Sequence, residues 1–186
     1  LEVSGAAIYQ DRGPFVFREL LMSDVVFRPF AWSDVPAIAA IYRPYVEETV
    51  ITFETEVPSE TEMAERFGKL KALGHPLIVA ERAGEVLGYA YASFYRPRAA
   101  YRFTCEDSIY LRQDAVGQGI GGRLLDELMA QSRAAGFKQM IAVITAERAN
   151  SVRLHEKAGF RHVGRYEAVG YKFDRWLDIV HLQKAL

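Results

Sequence analysis

The sequence predicts one mixed α/β (α+β) domain, and three observations carry that prediction. Apolar residues alternate between helical spacing and short strand-like runs along a chain that is 50% hydrophobic and 25% charged. Its 186 residues suffice for one sizeable core and are few for two. A glycine-rich stretch, Val116-Gly117-Gln118-Gly119-Ile120-Gly121-Gly122, joins a strand-like run ending at Leu111 to a strongly helical run through Gly136. Glycines there let backbone N–H groups approach a ligand where a helix N-terminus leaves its donors unpaired, so the stretch reads as an anion site.

The elements follow in order. Val25–Arg28 reads as a first strand. Ser33 can cap a helix whose apolar positions Val35, Ile38, Ile41, Tyr42 and Tyr45 recur at helical spacing, with Pro44 expected to kink or divide it. Ser59-x-x-Glu62 is a capping box for a second helix carrying Met63, Phe67 and Leu70, which Gly74 and Pro76 stop. Leu77–Glu81 and Val86–Tyr95 read as a hairpin around Ala83-Gly84, and Thr104–Leu111 as a further strand. After the glycines, a helix buries Ile120, Leu124, Leu125 and Leu128 and ends at Gly136. Met140–Ile144 has the run of a buried strand. A short helix from about Ser151 stops at Gly159, and strands near His162–Glu167 and Leu177–Leu182 follow. The order is strand, two helices, three strands, helix, strand, helix, two strands, with no internal repeat or low-complexity linker.

Leu1 to Leu21 lacks the basic start, apolar core and small-residue cleavage site of a signal peptide. Met22-Ser23-Asp24 is a natural start, so residues 22–186 are expected to be the domain and residues 1–21 an extension or a cloning remnant. Ala7-Ile8-Tyr9 and Phe15-Val16-Phe17 leave open an extra strand or arm on a sheet edge. Lys and Arg number 23 against 24 Asp and Glu, so no global field draws the chain to nucleic acid or an anionic membrane. No apolar run approaches the roughly 18 residues of a membrane span. One cysteine, Cys105, excludes an internal disulfide framework and fits a reducing cytoplasm. His75, His162 and His181 lack ligand-like spacing, so no metal is expected.

Gly117, Gly119 and Gly122 satisfy the dinucleotide pattern G-x-G-x-x-G, and Glu147 stands near the offset of roughly 20 residues at which a ribose-binding acid is expected. Context opposes that reading, because several strands precede the glycines and Arg112–Val116 separates them from the nearest one. No Lys-Ser or Lys-Thr follows, which removes the phosphate-cradling P-loop. Four further segments stand out. They are Phe53-Glu54-Thr55-Glu56; Tyr101-Arg102-Phe103-Thr104-Cys105-Glu106-Asp107-Ser108-Ile109-Tyr110; Ser151-Val152-Arg153-Leu154-His155-Glu156; and Val169-Gly170-Tyr171-Lys172-Phe173 with Arg175-Trp176-Leu177-Asp178.

Together, from about Val25 to Leu186, these segments resemble the phosphinothricin N-acetyltransferase and methionine sulfoximine/methionine sulfone acetyltransferase group of the GNAT superfamily. The superfamily's Arg/Gln-x-x-Gly-x-Gly/Ala pattern is met at Gly119 and Gly121, with Val116 where Arg or Gln is usual. The resemblance implies the GNAT acyl-CoA N-acyltransferase fold, a single domain whose central, mostly antiparallel sheet is flanked by helices. It also implies acetyl-CoA as co-substrate, a small amino-acid acceptor and a homodimer.

Acetyl transfer to an amine needs a base, because a free amine arrives largely as ammonium. Glu106, on the strand before the glycines, is the candidate, and the resemblance gives the matching glutamate that role. By strand alternation Asp107 points to the opposite face and reads as a bystander, as does Cys105, a small core residue. By resemblance, the backbone of Ile109, Tyr110 and Leu111 pairs with the pantetheine arm, and Gly117, Gln118, Gly119, Ile120, Gly121 and Gly122 hold the pyrophosphate with help from Arg123. His155 occupies the place of a proposed thiolate-protonating tyrosine. Arg148, where an Asn is usual, Asn150 and Ser151 border the cofactor. Arg96, Arg98 and Arg102, interleaved with Tyr95, Tyr101 and Phe103, can clamp a carboxylate or phosphinate by bidentate hydrogen bonds, while at least one of them reads as a solvated loop residue. By resemblance, Phe53, Arg96, Pro97, Arg98, Glu106, Asp107 and Ser108 border the acceptor. The Tyr110 hydroxyl is a further candidate there.

Overall fold

The computed structural model describes residues 24–186, so the expectations for residues 1–21 lie outside the described residues. Its elements are β1 (Val26–Pro29), α1 (Val35–Glu48), α2 (Glu60–Ala72), β2 (Leu77–Arg82), β3 (Glu85–Phe94), β4 (Thr104–Leu111), α3 (Ile120–Ala134), β5 (Gln139–Thr145), α4 (Ala149–Lys157), β6 (Arg161–Lys172) and β7 (Arg175–Ala185). The order matches the sequence reading. β4 has the expected bounds, whereas β6 and β7 extend past theirs. Of the two outcomes expected at Pro44, division does not occur, since the residue lies inside an undivided α1.

The strands form one sheet in the order β1-β2-β3-β4-β5-β7-β6, antiparallel except where β4 meets β5. Ala83 and Gly84 both take positive φ, the geometry a two-residue hairpin needs between β2 and β3. The β4–β5 contact is short: Thr104, Cys105 and Glu106 pair with Gln139, Met140 and Ile141. Past that point β4 stays on β3 and β5 stays on β7, so the sheet forks.

Two cores cover its faces. Phe30, Ile38, Tyr42, Tyr45, Phe67 and Tyr89 join α1 and α2 to one face. On the other, α3 buries Ile120, Leu124, Leu125 and Leu128 against Ile78, Ala90, Cys105 and Met140. The apolar stripe read from the sequence of α3 is therefore its buried face. The Ser59–Glu62 capping box forms as expected, with Ser59 and Glu62 each accepting from the other's backbone N–H.

Candidate active site at the sheet fork

The fork exposes backbone in a direction set by strand alternation. Arg112 N–H donates to Leu87 O at 2.8 Å, so Tyr110, two residues earlier, also turns its N–H and C=O toward β3. Ile109 and Leu111 turn theirs the other way, into the fork. That corrects one expectation: the backbone of Tyr110 belongs to the sheet and cannot pair with a ligand in the gap. Leu111 is engaged as well. The Tyr45 hydroxyl donates to Leu111 O at 2.6 Å and accepts from Leu111 N–H at 3.3 Å. Ile109 retains polar groups directed into the gap, and Val143 and Thr145 face it from β5, since Ala146 N–H pairs with Asp178 O of β7.

The glycines sit at the same end of β4. Gly117 (φ 83°) and Gly119 (φ 92°) adopt left-handed conformations that side chains disfavour, and Gly119 is the residue before α3. A Cβ at Gly121 would lie 3.5 Å from Leu111 Cδ1, so the start of α3 packs closely on β4. The first amides of α3 have no intrahelical acceptor, and its long dipole presents positive potential there. The Gln118 side chain faces inward, donating to Asp114 O at 2.7 Å and accepting from Arg82 at 3.0 Å; only its backbone is available to a ligand. The Arg123 guanidinium lies over the Phe27 ring, 4.6 Å from its centroid.

Just before α4, Arg148 has a buried Nε without a hydrogen-bond partner among the described residues. Asn150 accepts from Arg153 through its side-chain oxygen and is exposed. The Ser151 carbonyl accepts from His155 Nδ1 at 2.8 Å. His155 is 4% exposed, and its Nε2 meets Asp107 Oδ2 at 3.0 Å. Burial lowers the His155 pKa, but the hydrogen bond and charge of Asp107, with the Ser151 carbonyl, outweigh it and raise the pKa overall. Both ring nitrogens therefore face acceptors, and the ring presents no free N–H to the fork. Asp107 is likewise neither bystander nor acceptor contact through its side chain; it is buried with His155 on the face opposite Glu106.

Glu106 is half-buried on the α1/α2 face, at the last pair before the fork. Burial first, then the charge of Asp107, push its pKa up to about 7, against the opposing charge of Arg96. A carboxylate with that pKa accepts a proton effectively near neutrality. Neighbouring Cys105 is fully buried on the other face, and burial raises its thiol to about 12, which leaves it protonated and inert.

Around Glu106 the loop before β4 holds Arg96, Pro97 and Arg98, all exposed. Arg102 stacks on Phe103, 4.3 Å from its centroid, and donates to Ala99 O at 3.2 Å, while Arg96 lies over Tyr95 at 5.2 Å. Ser108 lies directly opposite Tyr91 across the β3–β4 pair. The Tyr110 ring packs edge-on against Tyr42 and Tyr45, within the aromatic core beneath α1. The segment between α1 and α2 closes the cleft from above. It is fastened by Tyr42 to Thr52 (2.8 Å) and Glu54 (3.0 Å), by Arg66 to Glu54 (2.7 Å), by buried Lys172 to Thr52 O (2.9 Å) and by Thr145 to Val50 O (2.5 Å). Phe53 within it lies over bare backbone at Gly170. A cavity of about 410 Å³ beside Phe30, Lys71, His75 and Gln131 holds none of these residues.

A forked sheet, a glycine-lined helix start at the fork and a carboxylate at its apex are one arrangement. A family model described as an acetyltransferase (GNAT) domain matches residues 28–181. The chain belongs to the GNAT acetyltransferases. The phosphinothricin N-acetyltransferase of Alcaligenes faecalis is 46% identical over 154 residues, covering 82% of this chain and 78% of its own. An L-methionine sulfoximine/L-methionine sulfone acetyltransferase of Pseudomonas paraeruginosa is 41% identical over 153 residues, 81% of this chain and 88% of its own. A crystal structure of a GNAT superfamily phosphinothricin acetyltransferase from Sinorhizobium meliloti in complex with AcCoA has 46% identity and a TM-score of 0.85, over 88% of this chain and 89% of that one.

Two contacts beside the cleft of this GNAT acetyltransferase leave no local mark in the sequence. Tyr45 reads as one more apolar helix position, yet its hydroxyl reaches Leu111. Lys172 reads as a strand lysine, yet it is buried under Thr52. Neither contact has a local signal, because each joins segments far apart in the chain.

Proposed function

We propose that the protein transfers acetyl from acetyl-CoA to the α-amine of a small amino-acid analogue such as phosphinothricin, methionine sulfoximine or methionine sulfone, directly within a ternary complex. The observation that carries this reading is Glu106, titrating near 7 at the apex of the fork. The relatives' named substrates support the acceptor class.

The residues present suit the cofactor. The open amides at the start of α3 suit a pyrophosphate, the unpartnered Arg148 Nε suits a further anionic or acceptor group, and the inward-facing groups of Ile109 suit the amides of a pantetheine arm. When bound, acetyl-CoA supplies the activated acetyl thioester. Glu106 takes a proton from the acceptor ammonium, directly or through one water, and leaves the amine nucleophilic. Arg96 and Arg98 hold the acceptor's anionic groups, with Phe53 against its side chain. His155 clamps α4 to β4 beside Glu106 rather than delivering a proton. The buried lone cysteine suits a reducing cytoplasm.

A homodimer formed through β6 and β7 belongs to this proposal. Val163, Tyr166, Val169, Tyr171, Phe173 and Trp176 leave large apolar surface exposed there, with Trp176 at 64%.

The test is release of free CoA from acetyl-CoA with phosphinothricin, methionine sulfoximine, methionine sulfone, glutamate and spermidine. Selective turnover of phosphinothricin, methionine sulfoximine and methionine sulfone over glutamate and spermidine is expected. kcat/KM should rise with pH through about 7 as Glu106 deprotonates. Glu106→Gln should remove that limb and lower kcat by on the order of 10²–10⁴, while acetyl-CoA affinity stays nearly unchanged. Turnover unchanged in Glu106→Gln would remove the residue from the mechanism.

A further inference from the structure

The acceptor cleft has a floor beyond Glu106, and β7 supplies part of it. Glu106 is paired with Ile141, Ile141 with Gln183, and Val143 with His181. Directly paired residues project from the same face, so His181 shares the face of Glu106. The two Cα atoms are separated by two strand spacings, about 10 Å, and two residues along the strand, about 7 Å.

His181 is only 8% exposed. Its ring meets Tyr166 edge-on at 4.9 Å, and its nitrogens are not among the buried polar atoms left without a partner, so they keep access to the solvent of the cleft. A ring held by packing with its nitrogens open to the cleft can offer an N–H to a ligand. Burial, then the nearby charge of Arg96, lowers the His181 pKa, so at neutral pH the ring is uncharged and carries one N–H. Arg96 also acts on Glu106, which places one guanidinium within electrostatic reach of both residues.

The chemistry of the ligand follows. In phosphinothricin, methionine sulfoximine and methionine sulfone, the tetrahedral phosphorus or sulfur lies four bonds from the amine, about 5 Å when extended. An acceptor with its amine at Glu106 can therefore direct that centre toward His181. A guanidinium answers formal charge, and a sulfone has none; one neutral N–H donor suits the polarised oxygen that sulfone, sulfoximine and phosphinate share. We infer that His181 determines acceptor specificity by donating a hydrogen bond to an oxygen on the tetrahedral sulfur or phosphorus centre. This rests on the function proposed above. It adds the reason an oxygenated analogue is preferred to methionine, whose thioether would leave the donor unpaired.

The test uses the full chain and steady-state kinetics with methionine sulfone and phosphinothricin, alongside inhibition by methionine. His181→Phe and His181→Leu each remove the donor, so a failure of one to fold leaves the other; His181→Gln retains an N–H. Loss of one neutral hydrogen bond corresponds to a KM rise of about two- to tenfold. That rise is expected for both oxygenated acceptors in His181→Phe and His181→Leu, with partial recovery in His181→Gln. Little change is expected in kcat, in KM for acetyl-CoA or in inhibition by methionine. Parallel weakening toward methionine and its sulfone would reduce His181 to a packing residue and overturn the inference, as would an unchanged KM. A wild-type protein that acetylates none of the oxygenated analogues would overturn the proposed function and this inference together. Wild-type turnover with indifferent His181 variants would overturn the inference alone.

Discussion

At the scale of single residues, β4 carries two carboxylates back to back with opposite duties. Glu106 faces the cleft and titrates near neutrality, whereas Asp107 faces the core and holds His155. The His155 pKa is raised in the folded protein, so the pair contributes stability that is fully present below the unfolded value of about 6.5 and is lost as pH rises through the higher folded value. Replacing His155 with Gln leaves Asp107 buried without its counter-charge, a change expected to cost about 3 kcal/mol. The loss in Tm relative to wild type should be largest near pH 6 and shrink toward pH 9; a loss that grows with pH would contradict the pairing. Alternation along β4 separated the two acids in advance, since it needs only the strand's period. It did not find the partner on α4. Periodicity assigns a face, and the residue that meets that face is chosen by tertiary packing 48 positions away.

At the scale of elements, the decisive feature is how the segment between α1 and α2 is pinned over β6. A Cβ at Gly170 would lie 2.1 Å from Phe53 Cε2, so the ring requires bare backbone beneath it. Gly170→Ala should push Phe53 out of position and raise the acceptor KM several-fold. KM for acetyl-CoA should be unaltered and stability little affected, because the displaced group is the end of a partly exposed side chain. Equal KM values for wild type and variant would detach Phe53 from the acceptor site. The sequence marked both residues through resemblance, and marked the boundaries of α2 and β4 through a capping box and a run of strand formers. Pro44 leaves α1 undivided for a physical reason. A helix loses one hydrogen bond at an internal proline, and α1 replaces that support by burying Ile41, Tyr42, Tyr45 and Val46 around it.

Across the whole molecule, the succession of helices and strands was legible because each element has its own period and stop signal. The fork was not. Two strands that pair at one end and part at the other leave no mark in either strand's composition. The long β6–β7 hairpin was underestimated because bulges near His162 and between Tyr166 and Gly170 interrupt its alternation. Its exposed aromatic face gives the assembly-scale prediction. Sedimentation equilibrium should return twice the 21.0 kDa chain mass, and Trp176→Glu should return the chain mass while the monomer remains folded. A monomeric wild type at micromolar concentration would leave that face without its proposed occupant.

The three-pair seam between β4 and β5 also makes the sheet mechanically uneven. On one side β1–β4 are laced together along their lengths, and on the other β5–β7 are. Stiffness is therefore high within each wing and low along the line between them. A ligand lying in the fork bridges that line and supplies cross-links the two wings do not make for themselves. Occupancy then does two things at once: it presents a reactive group, and it stiffens the weakest line of the sheet.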